Sequence, residues 1–349
     1  MESLLKKWDG EEVIIRFDNL TKAWIIIAIH NTRLGIGTGG TRMKPYQNLQ
    51  EALQDAMKLA EGMSYKYAVS NFPRGGAKAV IALPDKFDST ERPDLLRRYG
   101  KLVCQLGGLF ETGPDVGTSP DDMDIISETG DPYIFCRTPQ KGGAGDSGPA
   151  TALGVFSGMQ AVCEQLFNSP SLEAKRVLVQ GAGSVGNPLI QLLRDAGAEV
   201  LFSDIDEAAI AHLQAKKGLK HIHPDKIFDT PCDIFAPCAL GGILNKNTIP
   251  RLKCLAVAGG ANNQLSEPAD AERLWGRQIL YAPDFAINIG GAMAIIGIET
   301  MGWSRAEADK NVTSVRQTLK HIFAIATAEG INTDVAARRI ARSRLFEDQ

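Results

Sequence analysis

Alternating and continuous apolar runs in the first third of the chain are typical of β-strands. They predict strands over residues 11–18 and 22–30, joined by a short turn, and a third strand over 77–83 that stops at Pro84. Between them, Gly35–Arg42 holds so many glycines that we expect either a mobile loop or a backbone that a ligand can approach closely.

Apolar residues at helical spacing predict two helices in the same region. The first begins after Asn48, with Glu51 placed to complete a capping box, and we expect it to end near Gly62. That ending leaves Lys66 at the helix exit. The second helix is predicted over 91–106.

The second half of the chain alternates short buried strands with helices, which is typical of a parallel sheet. It follows a glycine-rich segment over 141–148 that has the composition of a hinge. A long helix from Thr151 leads into it. Strands are predicted over 176–180, 199–203, 233–236, 255–258 and 279–282, and the last of these runs into a loop over 283–291. Two last helices are predicted. The first begins at Ser304, with Glu307 placed to complete a capping box and inward residues as far as Ile322, and the second begins near Thr333.

Bulk composition narrows the class of protein. A length of 349 residues favours two domains, and the formal net charge of -3 gives no reason to expect a nucleic-acid or anionic-membrane partner. The six cysteines contain no C-x-x-C, and His221 and His223 lack a third ligand, so we expect no metal site. Reduced thiols and the lack of a signal-peptide pattern favour the cytoplasm.

One motif carries specific binding chemistry. Gly181-Ala-Gly183-Ser-Val-Gly186 stands between a predicted strand and a predicted helix, and Asp204 ends the next strand. In that setting G-x-G-x-x-G indicates dinucleotide binding, because its glycines bring backbone N–H groups onto the pyrophosphate. Asp204 can accept the ribose hydroxyls and would repel a 2′-phosphate. The sequence therefore favours NAD over NADP.

Two lysines and one acid suggest reaction chemistry. Lys66 and Lys78 stand twelve residues apart, and the second opens an apolar run. One ammonium could hold a substrate carboxylate while the other, with a lowered pKa, moves protons. The residues alone leave open two solvated lysines flanking a turn. Similarly, Asp115 after Pro114, and Asn262 and Asn288 after predicted strands, could be turn formers.

Taken together, these segments resemble the amino-acid dehydrogenase family, which includes enzymes for glutamate, leucine, valine, phenylalanine and tryptophan. The resemblance rests on Lys66, Lys78, Gly113–Asp115, Gly181–Gly186, Pro237–Gly242, Ala261–Asn263 and Asn288–Gly291. Within the family, the chain looks most similar to the bacterial phenylalanine dehydrogenases.

The resemblance implies an α/β fold of two domains with a cleft between them. The first, over 1–147, would be a mixed-sheet domain for substrate binding, catalysis and oligomerisation. A Rossmann doubly wound NAD-binding domain would follow over 148–325. The C-terminal helix, over 326–349, would pack back toward the first domain.

The resemblance also implies NAD-dependent oxidative deamination of an L-amino acid to a 2-oxo acid and ammonia. Lys66 would bind the substrate carboxylate, Lys78 would be the general base, and Asp115 would shuttle protons. Further substrate contacts would come from Gly39, Gly40, Met63, Pro114, Asn262, Ala292 and Ile295. The cofactor would contact Thr151, Gly181, Gly183, Ser184, Val185, Gly186, Asp204, Cys238, Ala239, Asn262 and Asn288. Burial and the nearby cation of Lys66 should lower the pKa of Lys78, while Asp115 opposes that shift.

Four positions bear on the substrate side chain and the local geometry. Glutamate-specific relatives carry a lysine where Thr38 stands, so glutamate is disfavoured. Gly113 and Ala292 look small, and the extra room favours phenylalanine, with tryptophan, leucine or valine as alternatives. Ala77 replaces a glycine that the family usually has, which is harmless if its φ is negative.

Other hypotheses stay open at this point. A non-catalytic, NAD-responsive regulator could keep the fold, although a regulator would not need the lysines and the acid. A dehydrogenase of 2-hydroxy acids lacks support, since no His–Arg–acid set is present. The family generally forms homo-oligomers, and the apolar strand around Trp24–Ile27 would offer a sheet edge for pairing.

Overall fold

The computed structural model describes residues 2–215 and 219–347, which fall into two compact units, each with its own sheet. Within the described residues, unit 1 consists of the chain up to Gly145, Ile295–Trp303 and the chain from Ala341 onward. Unit 2 consists of Asp146–Ala294 and Ser304–Ile340. Ile295–Trp303 therefore belongs to unit 1, whereas the sequence predicts it as part of the second domain.

Unit 1 is built on a five-stranded mixed sheet in the order β1-β2-β4-β3-β5. The strands are β1 (Glu12–Asp18), β2 (Ala23–Asn31), β3 (Gly37–Pro45), β4 (Gly75–Leu83) and β5 (Phe110–Pro114). Its helices are α1 (Glu2–Leu5), α2 (Leu49–Val69), α3 (Arg92–Gln105) and α4 (Pro120–Gly130). Strands β1, β2 and β4 pair antiparallel, while β4, β3 and β5 pair parallel.

The two faces of this sheet pack against different helices. Ala77, Ala79 and Ile81 of β4 join a core with α3 and α4, whereas Val80 and Ala82 join a second core with α2. Because side chains alternate along a strand, Lys78 lies on the same face as Val80 and Ala82. The α2 face of the sheet therefore carries Lys78.

The expectation of a mobile loop at Gly35–Arg42 is wrong, because most of that segment is β3. This strand lies inside the sheet, between β4 and β5. Its glycines allow the neighbouring strands to come close: a Cβ at residue 39 would lie 1.8 Å from the carbonyl oxygen of Ala77. Glycine density here reflects close strand packing and not a turn.

Helix α2 begins where the sequence predicts but continues to Val69, so its predicted end near Gly62 is wrong. The side chain of Asn48 accepts a hydrogen bond from the backbone N–H of Glu51, 2.9 Å away. The carboxylate of Glu51 accepts from the N–H of Gln47 instead of closing a capping box on Asn48. Lys66 consequently lies in the last helical turn, where the helix dipole favours a cation.

Ala77 lies inside β4, and its φ is outside the left-handed region that favours glycine. Its methyl group is fully buried in the core with α3 and α4. An alanine therefore fits at this position without backbone strain.

Unit 2 is built on a six-stranded parallel sheet in the order β8-β7-β6-β9-β10-β11. The strands are β6 (Arg176–Gln180), β7 (Glu199–Ser203), β8 (Lys220–His221), β9 (Ile234–Pro237), β10 (Ala256–Val257) and β11 (Leu280–Tyr281). Chain order reverses between β6 and β9, which is the topological switch point of a doubly wound Rossmann sheet. The predicted α/β fold class is confirmed.

Nine helices lie in the described part of unit 2 or run from it into unit 1. They are α5 (Gly148–Phe167), α6 (Gly186–Asp195), α7 (Glu207–Gln214), α8 (Ala269–Gly276), α9 (Asp284–Ile287), α11 (Arg305–Val312) and α12 (Val315–Glu329), with α10 (Gly290–Thr300) running on into unit 1. The last helix, α13 (Thr333–Phe346), also begins in unit 2 and ends in unit 1.

Two helix predictions in this region are wrong. The single helix expected from Ser304 through Ile322 is divided into α11 and α12, although the capping box of Ser304 with Glu307 is confirmed. The loop expected around Gly290 and Gly291 is the start of α10. This helix is apolar all round, so it shows no amphipathic pattern. A Cβ at residue 290 would lie 2.4 Å from the carbonyl oxygen of Ala150 in α5.

The segment Trp24–Ile27 is not a sheet edge, because β2 pairs with β1 on one side and β4 on the other. The exposed edge on that side of the described sheet is β1. Among the helices of the described residues, none combines the length and apolarity that a membrane crossing needs.

Candidate active site

Unit 1 holds an ion pair between a buried lysine and a half-buried aspartate. Nζ of Lys78, a residue only 6% exposed, lies 2.8 Å from Oδ2 of Asp115. Lys78 stands on β4 and Asp115 follows β5, with β3 between the two strands. The side chains meet across Gly40, where an added Cβ would lie 3.1 Å from Cβ of Asp115. The missing side chain at Gly40 therefore leaves the space in which the pair forms.

A second cation supports the pair, and it is not among the site residues that the sequence predicts. Nε of Arg42 on β3 donates to Oδ2 of Asp115 at 3.0 Å, and its NH1 donates to Asp55 on α2. The hydroxyl of Tyr46 donates to Asp55 at 2.6 Å. Arg42 thus connects the acid of the pair to α2. These residues lie far apart along the chain, so no local motif could reveal them.

Burial and charge shift the pKa values of this cluster. Burial lowers the pKa of the Lys78 ammonium, and Arg42 adds to that effect, while the carboxylate of Asp115 opposes it. Burial would raise the pKa of Asp115, but Lys78 and Arg42 outweigh burial and hold it below its ordinary value. An amine with a lowered pKa beside an ionised acid is suited to proton transfer.

Lys66 and Met63 are half-buried residues of α2. This part of α2 packs directly on β4: a Cβ at Gly76 would lie 2.1 Å from the backbone nitrogen of Ser64. Lys66 follows Ser64 by two residues on α2, and Lys78 follows Gly76 by two residues on β4. The role of Lys66 as the carboxylate anchor stays a prediction.

The small residues expected to shape the substrate pocket differ in what surrounds them. Gly40 pairs with Gly113 in the register of β3 with β5, and Pro114 follows. An added Cβ at Gly113 would lie 2.4 Å from the ring of Phe135. Phe135 itself therefore fills the room that made Gly113 look like space for an aromatic substrate. On α10, Ala292 is half-buried and Ile295 is buried.

Unit 2 holds the dinucleotide motif at its topological switch point. Gly181 follows β6 with a φ of +89°, a conformation that favours glycine. Its added Cβ would lie 2.7 Å from Cβ of Ala239, which follows β9, so the loops after the two strands touch. Gly183 has open space around it, and an added Cβ at Gly186 would lie 1.8 Å from the carbonyl oxygen of Gly181. These contacts explain the spacing of the glycines.

Asp204 follows β7, beside the glycine loop. Its Oδ2 accepts from the N–H of Ala182 at 2.6 Å, and its Oδ1 accepts from the N–H groups of Ile205 and Asp206. Burial would raise the pKa of Asp204, but these backbone donors outweigh it and hold the pKa below its ordinary value. The residue is thus a fixed anion where a ribose would lie on such a motif.

A third group of predicted cofactor residues converges at the ends of β9, β10 and α5. A Cβ at Gly260 would lie 2.6 Å from Val185 and 3.7 Å from Thr151. The sulfur of Cys238 accepts from the N–H of Gly260. Ser184 lies in the glycine loop next to Val185.

Asn288 and Asn262 also belong to this region. Nδ2 of Asn288 donates to Oδ1 of Asn262 at 2.7 Å. Oδ1 of Asn288 is buried and receives no hydrogen bond from the residues that the structure describes. A buried acceptor without a donor is costly, and a carboxamide N–H of nicotinamide would satisfy it. The residues present therefore fit a nicotinamide dinucleotide.

Comparison with protein families decides the identity of the chain. Residues 17–131 match the family model described as "Glu/Leu/Phe/Val dehydrogenase, dimerisation domain". Residues 142–210 and 203–348 match the model "Glutamate/Leucine/Phenylalanine/Valine dehydrogenase". The chain belongs to this amino-acid dehydrogenase family. The resemblance inferred from the sequence is confirmed.

Individual relatives of this dehydrogenase support the same family assignment. It is 41% identical to a leucine dehydrogenase of Geobacillus stearothermophilus, over 98% of this chain and 92% of the relative. It is 39% identical to a valine dehydrogenase of Streptomyces virginiae, over 97% and 94% of the two chains. The crystal structure of L-tryptophan dehydrogenase from Nostoc punctiforme matches with a TM-score of 0.89 and 39% identity, over 99% and 98% of the chains. The dehydrogenase is therefore an oxidoreductase that acts on amino acids.

Proposed function

We propose that this dehydrogenase oxidises an apolar L-amino acid with NAD, giving the 2-oxo acid, ammonium and NADH. The observation that carries the proposal is the ion pair of buried Lys78 with half-buried Asp115, in a chain that also has a dinucleotide motif. A buried amine held against an acid is suited to proton transfer, and a non-catalytic regulator would have no use for it.

The reaction needs a fixed substrate, a proton acceptor and water. Lys66 and the backbone of Gly40 hold the substrate carboxylate. Bound NAD would supply the acceptor for the hydride that leaves Cα of the substrate, and loss of that hydride would turn the substrate amine into an iminium group. Lys78, as the free amine, takes a proton from water as its oxygen attacks that carbon. Asp115 exchanges protons with the substrate nitrogen, which leaves as ammonium. The overall reaction consumes one water and releases one proton.

Asp204 supports NAD as the cofactor. Its carboxylate is ionised and held by three backbone N–H groups, so it cannot easily turn away from a ribose. A 2′-phosphate would face this anion without a compensating cation from Arg176, which pairs with Glu199. NADP should therefore bind more weakly than NAD.

The substrate side chain is proposed to be uncharged. Thr38 is fully buried, and its hydroxyl lies 2.8 Å from the carboxylate of Glu111, so it offers no cation for an acidic side chain. The small residue at Gly113 favours phenylalanine in the sequence alone, but the ring of Phe135 takes the room beside it. Leucine is therefore our first choice, with tryptophan, valine and phenylalanine as alternatives.

The oligomeric state and the cellular compartment complete the proposal. The family model matched by residues 17–131 is described as a dimerisation domain, which supports a homo-oligomer. Six free cysteines support a reducing compartment such as the cytoplasm.

An absorbance assay tests the proposed function. The protein is incubated at pH ~9–10 with NAD, or separately with NADP, and each of the common L-amino acids, and absorbance at 340 nm is followed. We expect turnover with NAD on apolar amino acids. Binding of NADH without turnover on any amino acid would instead favour the NAD-responsive regulator.

A further inference from the structure

A second buried ion pair lies in unit 1, outside the Lys78 cluster. Nε of Arg74 lies 2.5 Å from Oε1 of Glu111, with side chains 11% and 3% exposed. Thr38 donates to the same oxygen of Glu111, and NH2 of Arg74 donates to the hydroxyl of Thr300 at 2.7 Å. Two opposite charges are thus held in fixed positions away from bulk water.

This pair lies on the same sheet face as Lys78. Thr38 pairs with Gly76 on β4 and with Glu111 on β5, so these three residues form one row across the sheet. The next row on that face contains Lys78, Gly40 and Gly113, two residues further along each strand. Same-face rows are about 6.6 Å apart, at roughly 3.3 Å per residue.

The row of Lys78 has no side chain at Gly40, whereas the row of Thr38 ends in the charged side chain of Glu111. A substrate whose Cα lies over Lys78 and Gly40 can point its side chain along the strands in either direction. One direction meets Asp115 and Arg42, which belong to the proton-transfer cluster. The other meets Glu111 and its partner Arg74.

We propose that Arg74 and Glu111 form the wall that the substrate side chain meets, and that their mutual neutralisation selects an uncharged side chain. This inference rests on the proposed function. Each member neutralises the charge of the other. Glu111 pairs with the guanidinium that would otherwise bind an acidic side chain, and Arg74 pairs with the carboxylate that would otherwise bind a basic one.

Removing one member leaves the other as a buried charge without its partner, which is unfavourable. A substrate that brings the missing charge relieves that cost. The Glu111→Gln variant should therefore gain acidic substrates, and the Arg74→Gln variant should gain basic ones. A pair that served only to stabilise the fold would give neither gain.

The test measures kcat/KM for leucine, glutamate and lysine in the full-length protein. In Glu111→Gln, the glutamate-to-leucine ratio should rise about tenfold or more over wild type. In Arg74→Gln, the lysine-to-leucine ratio should rise by a similar factor. The double variant, with both glutamines, is the matched control and should show neither rise, because it has no unpaired charge.

Because there are two single variants, the test can be made even if one of them fails to fold. Circular dichroism identifies which of them is folded. If a folded single variant oxidises leucine while its ratio stays within about twofold of wild type, the proposal is overturned. If wild type oxidises no amino acid at all, the proposed function fails instead, and the two failures are thereby distinguished.

Discussion

Nζ of Lys78 lies 2.8 Å from Oδ2 of Asp115, although thirty-six other residues separate them in the sequence. The contact depends on β3, which separates their strands but has no side chain at Gly40. It also depends on Arg42, which follows Gly40 by two residues on β3 and donates a hydrogen bond to the same carboxylate oxygen. Chemistry at this site therefore depends on three parallel strands together.

Replacing Lys78 by alanine should remove the general base. We expect kcat to fall by about 10²–10⁴-fold, the usual contribution of a positioned acid or base. NADH binding should be unchanged, because Lys78 lies in unit 1 and the dinucleotide motif in unit 2. Stopped-flow assays at 340 nm and NADH fluorescence titration measure the two quantities.

The matched control is Lys101→Ala, since Lys101 is an exposed lysine of α3 in the same unit. It should keep wild-type turnover. Full activity in Lys78→Ala would show that another group is the base.

The pH dependence of kcat/KM should respond in opposite directions to the two neighbours of Lys78. Activity rises with pH as Lys78 loses its proton. Arg42 lowers the pKa of Lys78, so Arg42→Met should move this rise to higher pH. Asp115 raises that pKa, so Asp115→Asn should move it to lower pH, with a reduced maximum. Shifts of about one pH unit are expected.

Profiles recorded between pH ~6 and ~11 with the preferred amino acid test this prediction. Lys101→Ala again serves as the control and should leave the profile in place. Equal shifts of the same sign in both variants would contradict the assignment of Lys78 as the titrating base.

The glycine loop proposed to bind the dinucleotide can be predicted from the sequence because its signal is local. Gly181, Gly183 and Gly186 stand within six residues between a strand and a helix, and Asp204 follows the next strand. The geometry that each glycine permits is set by its immediate neighbours.

The proton-transfer cluster was only partly predictable. The family resemblance pointed to Lys78 and Asp115, but Arg42 and Asp55 join them only through the order of strands and the packing of α2. Similarly, the glycines of β3 resemble a loop in the sequence, since nothing local shows that strands pack on both sides. Tertiary contacts determine these features, and local sequence patterns do not contain them.

Replacing Asp204 by asparagine should weaken the preference for NAD over NADP. The amide keeps the side chain's shape and one acceptor but removes the charge that repels a 2′-phosphate. We expect the ratio of NADP to NAD in kcat/KM to rise about tenfold or more. Steady-state kinetics with each cofactor measure the ratio. An unchanged ratio would mean that Asp204 does not face the ribose.

The stabilising contribution of Asp18 should be lost in acid, so the free energy of unfolding should fall there. Burial would raise its pKa, but hydrogen bonds from Arg98 and Thr21 outweigh burial and hold the pKa at about 2, against an ordinary 3.8. Its contribution to the free energy of unfolding is therefore complete above about pH 4 and is lost as pH falls toward 2. After allowance for screening, we expect about 1–2 kcal/mol.

Urea denaturation of Asp18→Asn, followed by tryptophan fluorescence, measures that contribution. The variant should be less stable than wild type at pH 7, and the difference should shrink at pH ~3. Asp225→Asn is the control, because the side chain of Asp225 is 85% exposed. A pH-independent difference for Asp18→Asn would point to packing instead of charge.

Two glycine-to-alanine changes separate the geometry of the site from general stability. In Gly40→Ala the new Cβ would lie 2.6 Å from the carbonyl oxygen of Pro114 and 3.1 Å from Cβ of Asp115, so Pro114 and Asp115 must shift from their positions beside Lys78. We expect kcat/KM to fall about 10²-fold, as small displacements of reacting groups do. In Gly62→Ala the new Cβ meets no atom within 4 Å, on the exposed face of α2.

Gly62→Ala should therefore keep its activity and gain about 0.5–1 kcal/mol in the free energy of unfolding, because alanine is the better helix former. The comparison is made with purified variants by the absorbance assay and by urea denaturation. Since both changes add one methyl group in unit 1, a loss of activity only in Gly40→Ala ties that loss to the space between Lys78 and Asp115. Equal activity in the two variants would show that a side chain at position 40 leaves the pair intact.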